Sequence, residues 1–94
     1  MPDPVSVQHN VAARRHEATV DGQIAVCEYQ DVAGRRVFTH TFVPPALRGR
    51  GIAENLVRAA LTDARSAGRT VVPACSYVAA FIERHPEYRD LLAQ

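Results

Sequence analysis

The sequence predicts a mixed α/β (α+β) fold, in which a three-stranded antiparallel meander leads into a strand-helix-strand-helix unit. The last strand of the meander is also the first strand of that unit. Three observations carry this prediction. Short β-type runs separated by turn residues fill the first half of the chain, a proline pair ends them, and a helical repeat of apolar residues follows. At 94 residues, the chain is predicted to form a single domain, 1–94.

The meander is predicted from three short runs that favour strands, at 16–20, 24–29 and 37–43. Asp21-Gly22 lies between the first two runs and is typical of a tight hairpin turn, because both positions tolerate positive φ. Ala33-Gly34-Arg35 is the predicted turn between the second and third strands.

Pro44-Pro45 is predicted to end the sheet, since proline cannot donate a hydrogen bond to a neighbouring strand. Between residues 50 and 67, apolar positions recur at spacings of three to five, which predicts one amphipathic helix. Gly68 follows it as the expected left-handed residue that closes the helix.

The apolar run 70–74 is too short for a helix and is predicted to form a buried strand. A strand that returns after a crossover helix pairs in parallel with the strand before that helix, here 37–43, through a right-handed connection. Ser76 is expected to cap a second helix over 77–84, which His85-Pro86 ends. A final turn anchored by Tyr88, Leu91 and Leu92 is expected after it.

Composition narrows the possible partners. Eleven basic and ten acidic residues give a formal net charge of +1, which provides no broad positive surface for nucleic acid or membranes. No stretch reaches the apolar length of a membrane span, and Met1-Pro2-Asp3-Pro4 does not have the basic and apolar regions of a signal peptide, so a cytoplasmic protein is expected, as a monomer by default. Cys27 and Cys75 form no CxxC pair and the histidines no HxxxH or HxH pattern, so free thiols and no metal are expected.

The segment Arg48-Gly49-Arg50-Gly51 lies between the third strand and the first helix. The first turn of a helix carries backbone N–H groups without intrahelical partners and a partial positive charge, and this combination binds phosphates. Consecutive amides from Gly49 to Ala53 could therefore converge on one anion. The same residues are explained equally well if the start of the helix is simply exposed to water and the glycines only allow the chain to turn.

The order of motifs resembles a known family. Arg48-Gly49-Arg50-Gly51-Ile52-Ala53 matches the Arg/Gln-x-x-Gly-x-Gly/Ala signature of the Gcn5-related N-acetyltransferase (GNAT) superfamily. Further motifs are similar to its small single-domain branch, often labelled YidJ-like: His40-Thr41 before Val43-Pro44-Pro45, the stretch 71–78, and His85-Pro86-Glu87-Tyr88. The resemblance covers about residues 14–92.

The resemblance implies a truncated acetyltransferase fold with a mixed sheet, which binds acetyl-coenzyme A where two parallel strands splay apart. It places the pyrophosphate on the turn amides from Arg48 to Ala53, a set that includes Gly49, Arg50, Gly51 and Ile52. It places the pantetheine arm and the thioester carbonyl against Phe42 and Val43. In that branch a glutamate commonly stands where this chain has Phe42, so a base at that position is missing here.

Three residues are candidates for the chemistry. His40 could act as a base, because an unperturbed imidazole titrates near neutral pH, or be a strand histidine on a solvated face. Cys75 precedes a predicted helix N-terminus, where the helix dipole favours thiolate; it could carry an acetyl group, border the cleft or be structural. Tyr77 could protonate the departing thiolate, as a helix tyrosine does in larger members of the superfamily, or pack against the coenzyme arm.

The leading hypothesis is an acetyl-coenzyme A-dependent N-acetyltransferase that acts on a small-molecule amine or a protein lysine. The alternative is a non-catalytic acetyl- or acyl-coenzyme A binding module, which Phe42 favours. Nucleic-acid contact through the Arg-Gly-Arg-Gly tract is disfavoured by the near-neutral charge and by the lack of interleaved aromatic residues.

Overall fold

A computed structural model describes residues 6–93, which form one five-stranded sheet with helices packed on it. The strands lie in sequence order across the sheet: β1 (Gln8–Asn10), β2 (Arg15–Val20), β3 (Gln23–Val32), β4 (Arg35–Phe42) and β5 (Thr70–Pro73). β1 to β4 are antiparallel, whereas β4 and β5 are parallel. The predicted mixed fold is confirmed.

Two helices follow the meander, α1 (Ile52–Ser66) and α2 (Ser76–Arg84). Short 3-10 helices occupy Pro45–Leu47 and Pro86–Leu91. The inward side chains of the strands and of both helices meet in one apolar core, whose members include Phe38, Leu61 and Phe81. The outward residues of β3 and β4 are exposed or half-buried, and we call this side of the sheet the open face.

The alternation of side chains along β4 is interrupted by a β-bulge at Thr39. Tyr29 pairs with Phe38, but the next residue back along β3, Glu28, pairs with His40 and leaves Thr39 as an extra residue. The bulge reverses which residues face the core. His40 therefore lies on the open face with Glu28, and Thr41 turns inward beside Cys27.

The pairing with β5 covers only the first half of β4. The parallel register runs from Arg35 opposite Thr70 to Phe38 opposite Pro73. Beyond this point the Cys75 amide donates to the Phe38 carbonyl over 2.8 Å, and the chain turns into α2. Thr39 to Phe42 consequently have no β5 residue beside them, which is the splayed arrangement that the family resemblance implies.

The C-terminal end of α1 behaves as the sequence predicts. Gly68 has φ +70°, and the amides of Gly68 and Arg69 donate to the carbonyls of Arg65 and Ala64 over 3.1 and 3.0 Å. These two bonds are the Schellman arrangement that a left-handed residue permits. They turn the chain directly into β5.

Several element bounds differ from the sequence predictions. Strand β1 was not predicted, because three residues of an edge strand show no alternation. Ser76 is the first residue of α2 and Cys75 is its N-cap, which corrects the predicted cap. Strand β4 starts at Arg35 and ends at Phe42. No helix within residues 6–93 has the length and apolar character needed to cross a membrane.

The charged side chain of Arg36 is buried on the core side of β4. Arg36 is 5% exposed and donates to Asp31 over 3.0 Å and to Asp63 over 2.7 Å. Its guanidinium lies 4.2 Å from the centroid of the Tyr29 ring. Both carboxylates and the ring compensate the loss of hydration, so the network fixes α1 against β3 and β4.

Truncating the core between α1 and the sheet should destabilise the fold measurably. Leu61 is fully buried, so Leu61→Ala removes apolar contacts and leaves a cavity that costs about 2–5 kcal/mol of unfolding free energy. Urea denaturation followed by circular dichroism measures this cost. The control is Ser66→Ala, an exposed change on the same helix. Equal midpoints for the two variants would contradict the packing described.

Candidate active site

The segment between β4 and α1 forms a cradle of backbone amides. Gly51 is the N-cap of α1, with φ +75°. Because glycine has no side chain, no side-chain hydrogen bond caps the helix. The first α1 hydrogen bond runs from the Asn55 amide to the Gly51 carbonyl over 3.1 Å. The amides of Ile52, Ala53 and Glu54 therefore lack intrahelical acceptors, as an anion site requires.

The two glycines of this segment are needed for its backbone. Gly49 has φ +82° and Gly51 φ +75°, a region where a side chain is strained. A Cβ added at either position would meet no atom within 4 Å. The glycines therefore provide the curvature, and the space above them is open to a ligand.

The two arginines of the segment have other partners. Arg48 Nε donates to the Val43 carbonyl over 3.0 Å, and its guanidinium lies 6.0 Å from the centroid of the Phe42 ring. Arg50 forms an exposed ion pair of 3.1 Å with Asp21 in the β2–β3 turn. Arg48 lines the cleft beside the glycines, whereas Arg50 is directed to the β2–β3 turn.

A cleft of about 270 Å³ opens beside this cradle. Its lining includes six of the residues predicted to bind the coenzyme, together with one of the three predicted catalytic residues: Val43, Arg48, Gly49, Gly51, Ile52 and Ala53, with Tyr77. Leu47 and Glu54 also line it and were not predicted. Phe42 and Arg50, both predicted to bind the coenzyme, are not among the lining residues.

Cys75 lies at the N-terminus of α2, next to the end of β5. Its thiol donates to Thr41 Oγ1 over 3.5 Å, and the Thr41 hydroxyl donates to Cys27 Sγ over 3.7 Å. Partial burial raises the pKa of the Cys75 thiol, but the hydrogen bond with the Thr41 side chain and those from the amides of Val78, Tyr77 and Thr41 outweigh it, so the net pKa is lowered. Burial raises the pKa of Cys27 to about 12, which keeps that thiol protonated.

His40 and Phe42 lie on the open face, away from Cys75. Their rings stack with centroids 6.4 Å apart, and Phe42 is 42% exposed. The cross-strand partner of His40 is Glu28. The three predicted catalytic residues thus occupy two faces of β4, with Cys75 and Tyr77 near the cleft and His40 on the open face.

Comparison with known proteins assigns the family. A model of the GCN5-related N-acetyl-transferase family matches residues 15–91. Protein NATD1 of Bos taurus is 35% identical over 86 residues, covering 88% of this chain and 76% of its own length. The Homo sapiens NATD1 protein is 34% identical over 86 residues, with 88% and 76% covered.

Solved structures agree in fold. The NMR solution structure of a GCN5-like protein from Staphylococcus aureus superposes with a TM-score of 0.74 at 20% identity, over 98% of this chain and 91% of that chain. Fold and sequence therefore define a small acetyltransferase-type domain. The chain belongs to the GCN5-related N-acetyltransferase family.

The sequence did not indicate the role of Thr41. Its hydroxyl connects the two cysteines only because the bulge at Thr39 turns it inward. A strict alternation of faces from Phe38 would put Thr41 on the opposite side. Only the paired register of β3 and β4 reveals this contact.

The two thiols should react differently with an alkylating agent. Iodoacetamide is expected to modify Cys75 and to leave Cys27 unmodified in the folded protein, because only Cys75 is accessible with a lowered pKa. The rate should rise with pH and reach half its maximum at a lower pH than the rate of an unperturbed cysteine, because the pKa of Cys75 is lowered.

Mass spectrometry of the alkylated chain measures both sites. Cys27→Ala should label at the wild-type rate, and Cys75→Ala should not label while folded. Labelling of Cys27 at a rate like that of Cys75 would contradict the placement of the two thiols.

Proposed function

We propose that this protein binds acetyl-coenzyme A in the cleft beside α1 and transfers the acetyl group to an amine of a small molecule or a protein lysine. The observation that carries the proposal is the pairing of two features at one cleft. Free amides at the start of α1 lie at its rim, and Tyr77 of α2 lines it close to the thiol of Cys75. Membership of the acetyltransferase family supports the same reaction class.

The pyrophosphate is proposed to bind the amides of Ile52, Ala53 and Glu54. These donors point along the α1 axis, where the helix dipole adds to their attraction for an anion. The Glu54 carboxylate also lines the cleft, and its charge is partly balanced by Arg58, which pairs with it over 3.2 Å. Arg48 contributes positive charge at the rim of the cleft.

The pantetheine arm is proposed to extend along β4 past Phe38. This stretch has no β5 partner, so its backbone groups that face the gap, apart from the Thr41 amide that bonds to the Cys75 thiol, are proposed to bond to the amide groups of the arm. The arm would bring the thioester towards Thr41 and Cys75. Positioning of this kind removes much of the entropic cost of a reaction between two molecules.

In the transfer step, the amine nitrogen attacks the thioester carbonyl, a C–N bond forms and the C–S bond breaks. The amine must lose a proton, and the coenzyme thiolate must gain one. His40 is proposed to take the amine proton, because it lies on the open face from which an acceptor can approach β4. Tyr77 is proposed to return a proton to the thiolate, because it lines the cleft.

Two routes use Cys75 differently. In the first, the amine attacks acetyl-coenzyme A directly and Cys75 borders the thioester. In the second, the Cys75 thiolate takes the acetyl group, coenzyme A leaves, and the amine then attacks the new thioester. The lowered pKa of Cys75 favours the second route, because thiolate is the reactive form.

A non-catalytic acyl-coenzyme A binding module is the second candidate. It is favoured by Phe42, which is half-exposed on the open face and supplies no acid or base there. A module would bind acyl-coenzyme A through the same cradle without cleaving its thioester, so no free coenzyme A thiol would form. Both functions therefore predict that acetyl-coenzyme A binds, and only the transferase predicts that it is turned over.

A negative charge introduced at position 51 should weaken the binding of acetyl-coenzyme A. Gly51→Glu is expected to weaken acetyl-coenzyme A binding at least about tenfold relative to Gly51→Gln, because a carboxylate a few ångströms from the pyrophosphate repels it. Gly51→Gln is the matched control, since it carries the same backbone strain and nearly the same volume. Calorimetric titration of both variants measures the difference, and equal affinities would place the pyrophosphate elsewhere.

Turnover separates the enzyme from the module. With acetyl-coenzyme A and a panel of primary amines, wild-type protein is expected to release free coenzyme A thiol faster than the uncatalysed mixture. Cys75→Ala should lose most of this rate by the acetyl-cysteine route and retain it by the direct route. Binding without release above background for any amine would establish the module and overturn the transferase.

A further inference from the structure

Two histidines and a carboxylate from three different elements meet on the core side of the sheet edge. His9 of β1 and His16 of β2 are cross-strand partners, and their rings stack with centroids 4.2 Å apart. Asp63 of α1 approaches them, with 3.4 Å between its Oδ2 and His9 Nδ1. One ligand atom from each residue can be chosen so that all three lie within 4.8 Å of one another.

His16 Nε2 has no hydrogen-bond partner among the described residues, although His16 is only 2% exposed. Buried polar atoms are almost always satisfied, so an orphaned nitrogen in a core demands an explanation. His9 and Asp63 are grouped with the side chain that carries this nitrogen. The unpartnered nitrogen is thus a second observation that points to a ligand, independent of the grouping of the side chains.

The surroundings of His9 match those of a metal ligand. Its Nε2 lies 2.6 Å from the Tyr29 hydroxyl, which leaves Nδ1 facing Asp63. Histidine ligands in metal sites regularly hold their second ring nitrogen in a hydrogen bond of this kind. Asp63 is about one-third exposed and lines a surface pocket with Val7 and Thr62, which offers a path from solvent.

We propose that His9 Nδ1, His16 Nε2 and the Asp63 carboxylate bind one divalent transition-metal ion of the zinc class, with water completing its coordination. Imidazole and carboxylate ligands suit zinc, whose bonds of about 2.0–2.1 Å place tetrahedral ligand atoms about 3.3 Å apart. The pair of His9 and Asp63 already has this spacing. The stacked rings must rotate towards each other for both nitrogen lone pairs to converge.

Arg36 limits the affinity of the site. Its guanidinium donates to Asp63 Oδ2 over 2.7 Å and repels a cation nearby. The ion therefore binds without displacing this bond, through the remaining lone pairs of the carboxylate. We expect affinity in the micromolar range rather than that of a site with thiolate ligands.

The ion would have a structural role at the edge of the sheet. β1 has three residues and pairs only with β2 among the described strands. A metal bound to His9, His16 and Asp63 joins β1, β2 and α1 through one centre. Because the ion would bind the folded chain and not the unfolded chain, it would raise the free energy of unfolding by mass action.

Spacing rules for metal motifs overlook this cluster. His9 and His16 are seven residues apart in the printed sequence, but the register of β1 and β2 places them opposite each other. Asp63 comes from a helix far along the chain. None of these contacts follows from neighbouring positions in the sequence.

The test titrates the full chain with Co²⁺, a coloured substitute for Zn²⁺, and with Zn²⁺ itself. Saturation at one ion per chain is expected, with visible ligand-field absorption, no thiolate charge-transfer band and a higher melting temperature. His9→Gln, His16→Gln and Asp63→Asn should each weaken binding about tenfold or more. His9→Gln changes a half-buried edge residue, so it keeps the test open if the other variants fold poorly.

Two controls are matched to the site. His85→Gln removes another histidine beside a carboxylate, 3.9 Å from Glu54, and should leave Co²⁺ binding unchanged. Cys75→Ala removes the accessible thiol and should also leave Co²⁺ binding unchanged. No binding at high micromolar metal, a thiolate spectrum, or wild-type affinity in His9→Gln would overturn the proposal.

Discussion

The single extra residue at Thr39 is the constraint on which the candidate site depends. Without a bulge, alternation from Phe38 would turn His40 into the core and Thr41 towards solvent. With it, Thr41 meets the thiols of Cys27 and Cys75, while His40 moves to the open face. The same stretch of β4 is where β5 departs, because their pairing ends at Phe38 and Pro73. The bulge and the end of the β4–β5 pairing thus lie at neighbouring positions of β4, next to the candidate site.

The remainder of the fold holds this irregular stretch in place. α1 begins at a backbone cradle and packs its apolar side on the core, so the amides at its start have a fixed position relative to β4. The Cys75 amide bonds to the Phe38 carbonyl and holds the start of α2 against the point where the strands separate. Rigid elements on both sides suit a site that works mainly by positioning a bound thioester. In the proposed reaction the acceptor approaches from the open face of β3 and β4.

The sequence was sufficient for every helix and strand except β1 and for the family, because these depend on local patterns. Helix α1 follows from its apolar spacing, the parallel strand pair from the crossover, and the cradle from its glycines. The sequence could not reveal β1, the bulge at Thr39 or the meeting of His9 with His16. Each of these depends on cross-strand register, which one residue can shift without a marker such as glycine or proline. The assignment to a YidJ-like branch and the cytoplasmic location stay predictions.

The most direct test of the account is an NMR titration of ¹⁵N-labelled protein with acetyl-coenzyme A, read amide by amide. We expect the largest chemical-shift changes at the amides of residues 49–54, with further changes at 39–43 and 75–78, the three segments that border the proposed path of the coenzyme. Changes confined to other parts of the chain, with these three segments unmoved at saturation, would contradict the proposed coenzyme site.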